Sequence, residues 1–217
     1  MRPALPCPRP ARAVLDGRYA RLEPLSAAHA PALFEASAAP GVAARFAYLF
    51  DEPPAGLPEM SAWIAKAVAT EDPLYSAVID KATGRAAGRQ ALMRIVPEHG
   101  VIEIGHILWG PAISRRRAAT EALYLAAHHV FEDLGYRRFE WKCNNLNAPS
   151  KSAAKRFGFS YEGLFRQHMW GKGANRDTAW FSMLDSEWPG FKREYDRWLD
   201  PANFDAAGNQ LSKLQVV

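Results

Sequence analysis

Between Glu103 and Gly163 the sequence contains four short segments whose order is typical of one architecture. They read EIGHILWGP at 103–111, ISRRRAATEA at 113–122, NAPS at 147–150 and RFGFSYEG at 156–163. The first segment predicts a strand that a proline ends, and the second predicts an arginine-rich turn that opens a helix. The amides at a helix N-terminus and fixed cations both attract anions. This order therefore indicates a binding site for a phosphorylated carrier.

The 217 residues are 48% hydrophobic and 23% charged, which fits one folded domain with short extensions. We expect a flexible proline-rich leader at 1–16, a domain at 17–188, and a C-terminal helix and tail at 189–217 that pack on the domain. The formal charge is +4, but three arginines lie in the first fifteen residues, which contain no acid. A nearly neutral domain argues against a nucleic-acid partner.

Several other partners and compartments are disfavoured by composition. Cys7 and Cys143 are too few for a disulfide framework, and no apolar run reaches the length of a membrane span. No spacing of Cys or His suggests a metal. The sequence therefore predicts a protein of the reducing cytoplasm, with no membrane association and no metal.

Hydrophobic periodicity predicts an α/β fold of mixed α+β character. Strand-like segments lie at 18–23, 75–80, 87–96, 101–109, 139–143, 159–170 and 177–187, and helix-like segments follow Ser26 or lie at 58–70, at 116–134 and before Gly158. The order β-α-α-β-β-β-α-β-α-β-β, followed by a C-terminal helix, predicts a central, mostly antiparallel sheet flanked by helices.

The order and spacing of these motifs resemble a known family, the GNAT N-acetyltransferases. The resemblance covers about Arg18 to Trp188. It rests on RLEPLSAAHA at 21–30, ATEA at 119–122, NAPS, and FGF followed by EG. Within this family, the sequence is similar to the branch that includes the ribosomal-protein N-terminal acetyltransferases RimJ and RimL. The resemblance implies acetyl-CoA as co-substrate and a small-molecule amine or a protein N-terminus as acceptor.

The family's pyrophosphate turn corresponds here to Ser114, Arg115, Arg116, Arg117, Ala118 and Ala119. Arg117 stands where the family usually has a glycine, which allows backbone amides to approach phosphate closely. The three arginines could compensate through charge-assisted contacts. The alternative is a solvated basic helix start, although unpaired arginines oppose the helix dipole there.

Amide formation needs a base for the amine, and Glu103 is the candidate. Family members that use a strand glutamate place it before their glycine, and Glu103 shares a strand face with Gly105, which leaves room for substrate. The alternative is an exposed carboxylate, or one paired with Arg94. His106 points the other way and is interpreted as a core histidine.

The family's usual acid, a tyrosine before FGF, is replaced here by Ala154. The resemblance to the RimL-like branch transfers this role to Ser150 and places Asn147 near the coenzyme arm. Both residues could equally serve as a helix cap and a first-turn residue. The resemblance also implies that backbone amides near Leu108 and Trp109, freed by a strand bulge, polarise the acetyl carbonyl.

The acceptor pocket is the least specified part. Aromatic and basic side chains at Phe46, Tyr48, Arg166 and Trp170 are expected around the amine, together with Glu103, although each could equally be ordinary packing. Two alternative functions remain open: an aminoglycoside-type or other antibiotic acetyltransferase, and a non-catalytic acyl-CoA-binding or interaction module. A homodimer is possible.

Overall fold

The computed structural model describes residues 4–216. Their contacts form two compact units. The N-terminal unit comprises 10–95 and 104–126, and the C-terminal unit comprises 4–9, 96–103 and 127–216. The chain passes from one unit to the other at 9/10, 95/96, 103/104 and 126/127. Each unit is therefore built from segments that are distant in sequence.

The described residues form eight strands and five α-helices. The strands are β1 Leu15–Asp16, β2 Ala20–Pro24, β3 Leu74–Asp80, β4 Arg85–Val96, β5 Val101–Trp109, β6 Arg138–Asn144, β7 Ser160–Gly171 and β8 Ala174–Leu184. The helices are α1 Ala30–Ala38, α2 Leu57–Val68, α3 Arg117–His128, α4 Ala148–Arg156 and α5 Trp188–Leu199. A π-helical turn, His129–Asp133, extends α3, and the segment Ala43–Tyr48 is a 3-10 helix. The predicted α/β class and element order are confirmed, and β1 is an additional short strand.

The N-terminal unit places α1 and α2 over antiparallel strands. Strand β2 pairs with β3, with Arg21 opposite Ile79, and β3 pairs with β4. The core between the helices and the strands is apolar: Leu25, Ala30, Leu33, Met60, Ile64, Ala67, Tyr75, Ala77, Ile79, Ala86 and Ala91. Since both helices bury one apolar stripe here, this core fixes the two ends of the segment between them, 39–56.

The C-terminal unit contains strands in the order β6-β8-β7, and all the pairs are antiparallel. Helix α5 packs within this unit, where the Trp188 ring stacks on Phe131 at 5.3 Å and the Tyr195 hydroxyl donates to the Phe157 carbonyl at 3.0 Å. The helix begins at Trp188, one residue before the predicted C-terminal segment at 189–217.

The predicted leader, 1–16, makes more contacts than its sequence suggests. Cys7 is buried, its amide donates to the Pro97 carbonyl at 3.0 Å and its thiol donates to the Gly135 carbonyl at 3.3 Å. Residues 15–16 pair with β2 as strand β1. Residues 4–16 therefore make contacts that the prediction of a proline-rich leader at 1–16 did not include, and the flexibility of the leader stays a prediction. Met1 to Pro3 lie outside the described residues.

Candidate active site

The predicted pyrophosphate turn lies in the N-terminal unit, between β5 and α3. The Ser114 amide donates to the Gly110 carbonyl at 3.0 Å, and Arg115 has a left-handed backbone with φ of +61°. Helix α3 begins at Arg117, so the amides of its first turn have no carbonyl partner within the helix. These amides, together with the left-handed turn, form a geometry suited to an anion.

The arginines of this turn are not equivalent. Arg115 and Arg116 are exposed, whereas the Arg117 guanidinium lies over the Tyr19 ring, 4.3 Å from its centre. Ala118 and Ala119 are buried. A fourth guanidinium, that of Arg45, donates to the Ser114 hydroxyl at 2.6 Å and to the Trp109 carbonyl. The turn therefore offers amides and several cations to a diphosphate, which fits the expected carrier.

The end of β5 is held close to β4. A Cβ atom at Gly88 would lie 2.7 Å from the Leu108 carbonyl oxygen and 2.9 Å from the Trp109 Cα, so only glycine allows this approach. The Trp109 indole donates to Gln90 Oε1 at 3.2 Å. The strand is irregular at His106, where φ is +49°, two residues before Leu108. The role that the resemblance implies for the amides near Leu108 and Trp109 stays a prediction.

The N-terminal unit also contains a cavity of about 180 Å³. Its lining combines carboxylates, aromatic rings and one arginine: Ser37, Phe46, Asp51, Glu52, Pro54, Glu59, Met60, Trp63 and Arg89. Phe46 packs in one apolar cluster with Val42 and Leu108. The predicted acceptor residue Phe46 therefore connects this cavity to the predicted acetyl-binding end of β5.

An ion pair lies in the wall of this cavity. Arg89 Nη2 is 2.7 Å from Asp51 Oδ2, the Trp63 indole donates to Asp51 Oδ1 at 3.3 Å, and the Arg89 guanidinium lies 3.9 Å from the Trp63 ring centre. Burial, and next the Arg89 charge, lower the pKa of His106. Burial raises the pKa of Tyr75 to about 12. Both groups are therefore uncharged at neutral pH.

Glu103 lies in the C-terminal unit within a buried cluster of charges. Lys142 Nζ is 3.0 Å from Glu103 Oε2 and 2.7 Å from Glu140 Oε2, and it lies 3.7 Å from the centre of the Trp180 ring. Glu103 is only 3% exposed. The alternative of an exposed carboxylate is therefore wrong, and the observed partner is a lysine from strand β6.

Ser150 and Asn147 lie at the start of α4. The Ser150 amide donates to Asn147 Oδ1 at 3.1 Å, so Asn147 is the N-cap of this helix. The Trp141 indole donates to Ser150 Oγ at 3.0 Å. Burial raises the pKa of Cys143, while a hydrogen bond with Ser150 acts in the opposite direction. Asn147 therefore caps the helix, which was one of the two interpretations of this residue. The Trp141 indole orients the Ser150 hydroxyl.

The remaining predicted acceptor residues lie in two places. Tyr48 is half-buried at the end of the 3-10 segment, in the same unit as Phe46. Arg166 and Trp170 lie on β7 of the C-terminal unit, where both are exposed, Trp170 to 70%. A backbone φ of +48° at Gln167 and a shift of register between Phe165 and Met169 interrupt this strand.

Four residues of the cavity wall and of the Glu103 cluster were not predicted from the sequence: Asp51, Trp63, Arg89 and Lys142. The only local signal was charge at alternate positions of a strand, as in Glu140 and Lys142 of FEWKC. Among residues 4–216, no group of three or more His, Cys, Asp or Glu side chains could hold a metal ion. In the part of the chain that the structure describes, no helix has the length and apolar character needed to cross a bilayer.

Comparison with known proteins places this geometry in a family. The family model described as the acetyltransferase (GNAT) domain matches residues 20–160. A crystal structure of a GCN5-related N-acetyltransferase from Brucella melitensis has 59% sequence identity and a TM-score of 0.95, covering 97% of this chain and 96% of that one.

One further relative is also named as an N-acetyltransferase, and one further structure shares the fold. An uncharacterized N-acetyltransferase, p20, from Bacillus licheniformis is 32% identical over 117 residues, which are 52% of this chain and 63% of that protein. The matched part therefore spans less than two thirds of this curated relative. A structure of RimL, a ribosomal L7/L12 alpha-N-protein acetyltransferase, in complex with Coenzyme A shares the fold, with 18% identity, a TM-score of 0.67, and coverage of 79% and 98%. The family match over most of the chain, joined to the observed fold, shows that this protein belongs to the GNAT acetyltransferases.

Proposed function

We propose that this protein is an N-acetyltransferase that transfers an acetyl group from acetyl-CoA directly to a primary amine within a ternary complex. The observation that carries this proposal is the turn at 110–117, where Arg115 is left-handed and exposed arginines precede the first turn of α3. Amides and cations at one turn are what a diphosphate needs. Ser114 to Ala119 would hold the pyrophosphate, and Asn147 would lie along the coenzyme arm.

Glu103 is proposed as the base, acting through water because its side chain is buried. The cluster of Glu103, Glu140 and Lys142 continues through Arg138, which pairs with Glu140 at 2.8 Å and with Glu162 at 2.5 Å. Three carboxylates therefore face two cations, and the net charge of the whole cluster is −1. Accepting one proton makes the cluster neutral, which costs less than adding charge to a buried site. Glu103 can therefore take the proton that the amine loses as its nitrogen bonds to the acetyl carbon.

Ser150 is proposed as the acid. The carbon–sulfur bond breaks as the carbon–nitrogen bond forms, and the departing thiolate needs a proton. The Ser150 oxygen already accepts a hydrogen bond from Trp141, so its own hydrogen can be donated, and solvent restores it. Backbone amides near Leu108 and Trp109 are proposed to stabilise the carbonyl oxygen.

The acceptor is proposed to be a protein N-terminus or a small amine. The RimL relative is named for a protein N-terminal substrate, and its low identity makes this a guide to the choice of substrates to test. A homodimer and a cytoplasmic location remain predictions from the sequence. The acidic side chains of the cavity keep cationic antibiotic amines among the substrates worth testing.

The test is acetyl transfer to a panel of amines, followed as release of free thiol from acetyl-CoA. The panel contains short peptides with free N-termini, small amines, a polyamine and an aminoglycoside. A melting temperature that rises with coenzyme A concentration would show binding by mass action. Turnover with at least one amine is expected. A protein that coenzyme A stabilises but that acetylates no amine would instead be the non-catalytic acyl-CoA-binding alternative.

A further inference from the structure

We propose that Arg45 is a positioning residue that links acceptor binding to coenzyme binding. Arg45 belongs to the 3-10 segment Ala43–Tyr48, and the same segment carries Phe46, which lines the cavity of the N-terminal unit. The inference rests on the proposed function, in which the turn at 110–117 holds the diphosphate of coenzyme A. A coenzyme bound at this turn would fix the segment through Arg45, and the fixed segment would complete the wall of the acceptor site.

Arg45 joins the segment to the turn and to the end of β5. Its Nη1 atom donates to the Ser114 hydroxyl at 2.6 Å and to the Trp109 carbonyl. The Ser114 hydroxyl in turn donates to the same Trp109 carbonyl at 3.0 Å. Polar groups of the segment, the turn and the strand therefore meet at one point, within the turn that is proposed to hold the pyrophosphate.

The Arg45 guanidinium keeps donors and charge for an anion. A guanidinium has five N–H donors, of which Nη1 supplies only two. Within residues 4–216 the partners of this side chain are the oxygens of Ser114 and Trp109, and no carboxylate there pairs with it. Arg45 is also exposed, so a ligand can reach it. A diphosphate that accepts from Nε or Nη2 leaves the bonds of Nη1 in place, and its charge strengthens the attachment of the segment.

The segment contributes to the cavity through Phe46. This side chain is 3% exposed and packs with Val42 and Leu108. The amides of Arg45 and Leu49 donate to the carbonyls of Val42 and Phe46, so these bonds stay within one stretch of chain and do not attach it to the strands. Fixing Arg45 at the turn therefore helps to keep Phe46 in the cavity wall and over Leu108.

The coenzyme and the acceptor should consequently strengthen each other's binding. The diphosphate favours the attached segment, and the acceptor binds where Phe46 completes the wall. Each ligand then binds more tightly in the presence of the other, and by the same factor. We expect a factor of about tenfold, which is the effect of one hydrogen bond to a charged group.

Hydrogen exchange of the amides at 46–49 measures the attachment of the segment without any need for turnover. In the wild type, saturating coenzyme A should slow this exchange about tenfold. Arg45→Met keeps an apolar stem but removes the charge and the donors, so the slowing should disappear even when coenzyme A saturates the variant. Arg116→Met removes an equally exposed arginine that lies on the turn but outside the segment, and it should retain the slowing.

Steady-state kinetics tests the link to the acceptor. At saturating acetyl-CoA, Arg45→Met should raise the KM for the best amine of the panel about tenfold and leave kcat nearly unchanged. A residue that only contacts phosphate, as proposed for Arg116, should raise the KM for acetyl-CoA alone. Arg85→Met removes an exposed arginine of β4 that pairs with Glu35, and it should change neither KM.

The results separate this inference from the proposed function. If coenzyme A does not slow the exchange in the wild type, or if Arg45→Met raises the KM for acetyl-CoA alone, the inference is wrong and the acetyltransferase proposal stands. If coenzyme A binds but no amine is acetylated, the proposed function fails and the exchange comparison still decides. Equal slowing in the wild type and Arg45→Met would then overturn the inference. A protein that does not bind coenzyme A would contradict both.

Discussion

The ammonium of Lys142 lies 3.0 Å from the Glu103 carboxylate, and both side chains are almost fully buried. The two residues are 39 positions apart and lie on different strands, β5 and β6. The lysine also binds Glu140 at 2.7 Å. The candidate base is therefore one member of a cluster that holds one excess negative charge, and its behaviour depends on its neighbours.

Glu103→Gln should lower kcat by about 100-fold or more, because the amide cannot accept the proton of the amine. Steady-state kinetics with the best amine of the panel measures this effect. Glu140→Gln is the matched control, since it removes the same charge from the same lysine while Arg138, its other partner, stays paired with Glu162, and it should retain most of the activity. Equal losses in both variants would assign the effect to the charge of the cluster instead of to a base at Glu103.

Arg115→Ala and Arg116→Ala should each raise the KM for acetyl-CoA by about tenfold, because an exposed arginine at this turn is free to contact phosphate. Arg117→Ala should have a smaller effect, since this guanidinium packs over the Tyr19 ring. The KM values, measured at low and high salt, check the prediction. A largest effect at Arg117 would mean that its side chain leaves Tyr19 when the coenzyme binds.

Glu121→Ala should destabilise the protein by about 3 kcal/mol, because three backbone amides would lose a charged acceptor. The buried Glu121 carboxylate accepts from the amides of Arg18, Tyr19 and Ala20 at 2.9, 2.5 and 2.6 Å. Urea unfolding measures the loss. The exposed Glu35→Ala, which removes one surface ion pair, should cost about 0.5 kcal/mol or less. Equal midpoints for the two variants would contradict the anchoring role of Glu121.

His106 should make the protein less stable in acid. Burial keeps its pKa in the folded protein below the usual value of 6.5, so below pH 6.5 the unfolded chain binds the proton more readily. Stability is therefore full above pH 6.5 and is lost as the pH falls towards the lowered pKa. Melting temperatures at pH 8 and 5.5 should converge in His106→Gln relative to the wild type. The exposed His99→Gln should leave the pH dependence unchanged.

Local chemistry explains why most of the fold could be predicted. The alternation in 101–109 matched β5, and the helical spacing from 116 matched α3 and the π-turn after it. These patterns depend on residues that are near each other in the chain. The leader was described less well, because the burial of Cys7 depends on carbonyls at Pro97 and Gly135, which are distant in sequence.

The order of the elements, the family resemblance and the arginine-rich turn before α3 could be recognised from the sequence, because each depends on short-range spacing. The packing of the chain brings Lys142 to Glu103, and it brings Arg89, Asp51 and Trp63 together at one cavity. The physical reason is that charge pairing and burial are set by strands and helices packing across 10 to 40 residues of sequence, and no local pattern records which side chains will meet.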